Sequence, residues 1–161
     1  LGGKAALDEL DFAGIERLVA HCVDDALQGS EINPQRFGES LMQLEKTRVV
    51  ALISHWLEYK EKARLQDFDV VALETAMDTQ LMGIPLKLRI DRIDRIGDKR
   101  LVIDYKTGSI DGKALNSDSL TEPQLPIYAL AASEDSPVDG VMLAQLRSRF
   151  LGVADISVLG A

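Results

Sequence analysis

The chain has 161 residues, 46% hydrophobic and 27% charged, with 12 glycines and 5 prolines; that balance excludes a disordered or fibrous protein and suffices for one domain burying roughly 70% of its unfolded surface. A net charge of −8 argues against a partner held by charge alone, nucleic acid included, although a site that recruits a divalent cation must itself be acidic. The single cysteine, Cys22, rules out an internal disulfide, and an iron–sulfur cluster or cysteine-rich zinc site made by this chain alone; with no apolar run near the ~20 residues of a membrane span and no signal peptide, the reading is a cytoplasmic protein without a membrane partner.

The chain opens at Leu1 and enters a helical pattern almost at once, which we read as a piece of a longer protein. A helix starting near Asp11 carries Ile15, Leu18, Val19, Cys22, Val23, Ala26 and Leu27 at helical spacing and ends at Gly29 and Ser30. Cys22 lies inside that stripe and reads as a small buried hydrophobe. His21 flanks it and reads as a surface or boundary residue. A long helical segment over 37–64 places Val49, Leu52, Ile53, Trp56 and Ala63 on one face. His55 reads as structural, and the charge run 58–64 as a solvated face.

From Asp69 the period becomes strand-like. Residues 70–74 form a strand, 77–80 a turn, and 81–96 the return, with a bulge or twist near Asp91 to explain why Ile93 appears on the side that Lys87, Arg89 and Asp91 occupy. Gly97-Asp98 turns into a third strand, 100–106, whose alternation sets Asp104 and Lys106 on one face. Residues 109–119 read as a loop. Thr121-Glu122-Pro123 opens a helix on which Gln124 and Tyr128 share a face, and 138–147 is a final core strand. The predicted layout is a helical part, 1–66, followed by a sheet core with one helix, 67–150.

An acidic residue two before a lysine occurs three times, at Glu58, Asp104 and Asp111. Residues two apart on a helix do not face each other, which removes Glu58-Lys60, and Asp111-Lys113 falls in the loop. Asp104-Lys106 sits on a strand, after an acidic strand and before the glutamine–tyrosine helix. Taken singly, each residue has a plainer reading. Asp91 and Asp94 among Arg89, Arg92 and Arg95 suit cross-strand ion pairs on a solvated face; Asp104 and Lys106 suit a mutual pair at a strand end; Tyr128 suits a half-buried tyrosine.

In combination, Asp91 in Leu-Arg-Ile-Asp-Arg-Ile-Asp, then Asp104-Tyr105-Lys106-Thr107-Gly108, then Gln124-Leu125-Pro126-Ile127-Tyr128 resemble the successive motifs of the PD-(D/E)XK nuclease superfamily, its RecB-like and AddB-like branch above all. The resemblance implies an α/β fold with a restriction-endonuclease-like core, a mixed central β-sheet flanked by helices, preceded by an N-terminal helical segment, in one domain over 1–161. It implies a Mg²⁺- or Mn²⁺-dependent deoxyribonuclease of DNA repair or recombination, expected to act as an exonuclease, with DNA as partner and a helicase subunit or domain beside it. Asp91 and Asp104 are then the metal ligands with the backbone carbonyl of Tyr105, and Glu74 is a further candidate acid. Lys106 acts on the attacking water or on the phosphate, and Gln124 and Tyr128 position DNA.

That assignment agrees with elementary chemistry. Phosphodiester hydrolysis needs a water activated near neutral pH and neutralisation of charge on the phosphoryl oxygens, and hard cations held by carboxylates supply both. One departure stands out. RecB-like nucleases commonly add a histidine ligand from a helix upstream, and neither His21 nor His55 stands in such a motif. The alternative is a catalytically inactive nuclease-like module that holds DNA or a helicase.

Overall fold

The computed structural model describes residues 2–29, 38–81, 83–108, 127–128 and 137–146. Among the described residues three helices come first: α1 (Lys4–Asp8), α2 (Phe12–Gln28) and α3 (Glu39–Trp56), the last running into one π turn, Leu57–Glu61. Four strands follow, β1 (Asp69–Leu81), β2 (Ile84–Ile96), β3 (Lys99–Lys106) and β4 (Gly140–Gln145). They form one sheet in the order β1-β2-β3-β4. The first three are antiparallel, and β4 runs parallel to β3, pairing Val102 with Val141 and Asp104 with Leu143. This is the mixed α/β arrangement expected, since a parallel neighbour requires a crossover rather than a hairpin.

Helix α2 begins where its cap dictates. Asp11 accepts a hydrogen bond from the Gly14 N–H at 2.7 Å, satisfying one of the donors a helix start leaves open. Its apolar stripe buries Ile15 and Val19, which cluster with Leu7 against Val50, Ile53 and Leu57. Cys22 departs from expectation: it is exposed and faces an apolar cleft between α2 and α3, beside Leu18, Met42 and Val49. The stripe predicts the right face of the helix, but α3 covers only part of it. The N-terminus adds a feature the sequence did not announce. Gly3 bridges Asp69, Lys4 N–H donates to the Phe68 carbonyl and Val70 N–H to the Gly2 carbonyl, each at 2.9 Å. A Cβ at Gly3 would sit 2.4 Å from that Phe68 carbonyl oxygen, so the approach requires glycine.

Strand β1 also corrects the sequence reading. Residues 77–80 are not a turn: Met77 pairs with Leu88, Asp78 with Lys87, Thr79 with Leu86 and Gln80 with Pro85. Asp78 and Gln80 are the outer row of a long hairpin, alternating with the half-buried Met77 and Thr79. Gly83, at φ +82°, lies at the bend instead. The expected irregularity beside Asp91 is carried largely by the neighbouring strand. The register shifts between Val70 and Ala72, and Glu74 adopts φ +47°, a left-handed conformation costing a non-glycine residue about 1–2 kcal/mol. Strict alternation breaks across from it, so Ile90 and Ile93, three apart, share one cluster.

Both faces of the central strands are covered. Ile90, Ile93, Val102, Val141 and Leu143 pack with Tyr128 on one face; Leu101, Ile103, Met142 and Ala144 pack with Trp56 and Tyr105 on the other. The turn between β2 and β3 is Gly97-Asp98, as expected, with Gly97 at φ +59°. Gly97→Ala should therefore lower stability by about 1 kcal/mol in urea titration, and Gly97→Asn should lose much less, because asparagine tolerates this region.

Candidate active site

The β2–β3 ladder pairs Ile96 with Lys99 through to Arg92 with Ile103. One further step along the same register sets Asp91 across from Asp104. The half-buried Asp91 carboxylate is turned toward β3, where its Oδ2 accepts the Tyr105 N–H at 2.9 Å. Asp104 is 3% exposed, and its Oδ2 lies 2.9 Å from the Lys106 Nζ. The expected common face of Asp104 and Lys106 is thus realised. Beyond them β4 secures the strand end: Leu146 N–H donates to the Lys106 carbonyl at 2.8 Å, and Gln145 Nε2 to the Gly108 carbonyl at 2.6 Å.

The remaining candidates fall in different places. Tyr128 is buried, in the core cluster on the face to which Val102 and Leu143 belong. Gln124 lies outside the described residues. Glu74 sits on β1 between the Leu73–Arg92 and Thr75–Ile90 pairs, hence beside Asp91, but its side chain is largely exposed and ion-paired with Arg89 at 2.6 Å. Neither histidine joins them. His21 is exposed near Asp25, and His55 bonds the Ala51 carbonyl through Nδ1 at 2.7 Å and packs against Phe12 and Tyr59.

Among the described residues, no three His, Cys, Asp or Glu side chains gather as a ready-made metal cage. Asp91 and Asp104 could, with a backbone carbonyl, supply oxygen donors to a cation. Oxygen donors suit Mg²⁺ or Mn²⁺, which take few protein carboxylates and leave positions for water and phosphate.

Behind this pair, on the helix-covered face, lies a cluster that sequence reasoning missed. Arg92 is 6% exposed and binds Asp94 with two bonds, Nε to Oδ1 at 2.6 Å and Nη2 to Oδ2 at 2.9 Å. Nη2 also donates to Glu61 at 3.1 Å, and Nη1 to the Tyr105 hydroxyl at 3.0 Å. Arg64 bonds Asp94 at 2.6 Å and Glu61 at 3.2 Å, with its guanidinium 3.9 Å from the centre of the Phe68 ring. Two carboxylates and two guanidiniums neutralise each other in the interior, the condition under which charges can be buried.

The plainer reading of Asp91 and Asp94 among Arg89, Arg92 and Arg95 as ion pairs on a solvated face is corrected at Arg92 and Asp94, and that of 58–64 as a solvated face at Glu61 and Arg64. The cause is the π turn. Lys62 N–H bonds the Leu57 carbonyl at 3.0 Å, five residues back, and the extra residue rotates Glu61 inward to 1% exposure.

Burial opposes the charge on Arg92, but its hydrogen bond to Asp94 and the negative charges of Tyr105, when ionised, Glu61 and Asp94 outweigh this and raise its pKa. Burial is also the main reason the Tyr105 pKa is raised; Arg92 opposes the shift, and Glu61 and Asp94 reinforce it.

Glu61→Ala should cost about 3–5 kcal/mol in urea unfolding, because it strands buried positive charge. A phenol whose folded pKa lies above its unfolded value contributes stability that is complete below the ordinary tyrosine range and is lost as pH rises through it. In an ultraviolet phenolate titration, Tyr105→Phe should accordingly remove a late-ionising tyrosine.

A search of curated proteins finds no match. Among solved structures, the chain is similar to one described as "Crystal structure of SSO0001", with 20% identity, coverage of 89% of this chain and 74% of that one, and a TM-score of 0.32. The family model of the PD-(D/E)XK nuclease superfamily matches residues 5–157, nearly the whole chain, and the mixed four-stranded sheet with flanking helices is consistent with the restriction-endonuclease-like core of that superfamily. The chain belongs to the PD-(D/E)XK nuclease superfamily.

Proposed function

We propose that this chain is a metal-dependent deoxyribonuclease domain of the RecB-like, AddB-like kind, a piece of a longer DNA repair or recombination protein that cuts as an exonuclease. The observation that supports the reading is that Asp91 accepts the Tyr105 N–H, beside Asp104, while Asp104 pairs with Lys106. Asp91, Asp104 and the Tyr105 carbonyl would hold Mg²⁺ or Mn²⁺. When bound, the cation neutralises charge on the phosphoryl oxygens and lowers the pKa of water.

The chain's own groups do the rest. Tyr105 N–H fixes the rotamer of Asp91, so the ligand is oriented before substrate arrives. The Lys106 ammonium, resting on Asp104 in this structure, is the charged donor for negative charge developing on phosphate, and it can also orient the attacking water. Burial of Asp104 limits the solvent that would screen both interactions. Gln124 would help to set the DNA strand, whereas Tyr128, buried in the core cluster, would support that face from beneath without touching the strand. Glu74, engaged by Arg89, is a reserve acid rather than one of the primary pair. The acidic net charge means that grip on DNA comes from neighbouring domains or a helicase partner.

The test is degradation of end-labelled DNA with Mg²⁺ or Mn²⁺ by the chain and by a longer version of the protein. Lys106→Ala should lower cleavage by two orders of magnitude or more, about the loss expected for a group stabilising transition-state charge, with an unchanged circular dichroism spectrum. Undiminished cleavage would remove Lys106 from the mechanism. No cleavage by either parent form would favour a binding module instead.

A further inference from the structure

Resting on the nuclease reading above, we infer that Arg92 and Tyr105 are positioning residues that brace the two metal-binding acids from behind the sheet. The β2–β3 pairs begin at Arg92–Ile103, so Asp91 and Asp104 lie just past the paired ladder. Two carboxylates at that point repel each other whenever no cation lies between them. Something other than the ladder must keep their strands from splaying.

The residue following each acid supplies it. Alternation along β3 sets Asp104 on one face with Val102, while Arg92, which follows Asp91, and Tyr105, which follows Asp104, both lie in the cluster on the opposite, helix-covered face. There Arg92 Nη1 donates to the Tyr105 hydroxyl at 3.0 Å, tying β2 to β3. The tie is anchored at both ends. Asp94 and Glu61 fix the guanidinium at 2.6, 2.9 and 3.1 Å, and the Trp56 ring meets the Tyr105 ring edge-on at 5.5 Å between centres. From the same Tyr105, the backbone N–H reaches forward to Asp91 at 2.9 Å. One residue is therefore held by its side chain on one face and holds a site acid by its backbone toward the other.

Tyr105→Phe cuts the tie while keeping the ring, its packing and its peptide. Two readouts follow: Mn²⁺ binding to the chain by calorimetry, and hydrogen exchange at the residue 105 amide. Mn²⁺ affinity should fall about tenfold, the low end for loss of a group supporting metal ligands, and the amide should exchange faster. Arg64→Lys is the control, because Arg64 belongs to the same cluster without a bond to Tyr105. It should lower the melting temperature and leave Mn²⁺ affinity at the parent value. Unchanged affinity and exchange in Tyr105→Phe would overturn the brace and leave the nuclease reading standing. An equal loss of affinity in Arg64→Lys would overturn it too, by reducing the effect to general loosening. Absence of Mn²⁺ binding by the parent chain would defeat the metal-dependent reading itself, and the role assigned to the brace with it.

Discussion

A guanidinium cannot sit inside a protein without partners, and the needs of Arg92 organise much of this fold. Its five N–H donors draw in Asp94 from its own strand, Glu61 from the π turn and Tyr105 from the next strand. Satisfying it therefore fixes three elements relative to one another. The unusual turn after α3 has a physical reason in this light: a regular helix would carry Glu61 past the cluster, leaving positive charge buried and short of a counter-charge.

The two sides of β2 and β3 divide the labour. Toward the helices, the strands present the neutralised ion cluster and the Trp56 contact, which fix position. Past the paired ladder, they present Asp91, Asp104 and Lys106. A surplus of carboxylate is poor for stability and good for recruiting a divalent cation. The left-handed Glu74 and the register shift at Val70–Ala72 lie beside this end, where strain is commonly found near function.

Much of this was legible from residue order. Period-two alternation in 100–106 placed Asp104 and Lys106 together, Gly97-Asp98 announced its turn, and Asp11 announced the start of α2. Motif order, more than any single residue, pointed to the superfamily. What escaped was set by long-range contacts. Asp78, Thr79 and Gln80 look like a turn until the partner strand is known, and Cys22 looks buried until the open cleft between α2 and α3 is seen. The charged cluster was the largest omission. Alternating Arg and Asp on a strand describes a solvated face or a buried neutral network equally well, and only the arrival of Glu61 and Arg64 from 30 residues away decides between them.

Whether Asp91 and Asp104 together hold one cation decides the proposed chemistry. Anomalous diffraction from crystals of the chain grown with Mn²⁺ tests it most directly. The account expects a peak bound by both carboxylates and the Tyr105 carbonyl, and lost in Asp104→Asn crystals. Well-ordered crystals with no peak there, or with Mn²⁺ held elsewhere, would contradict it.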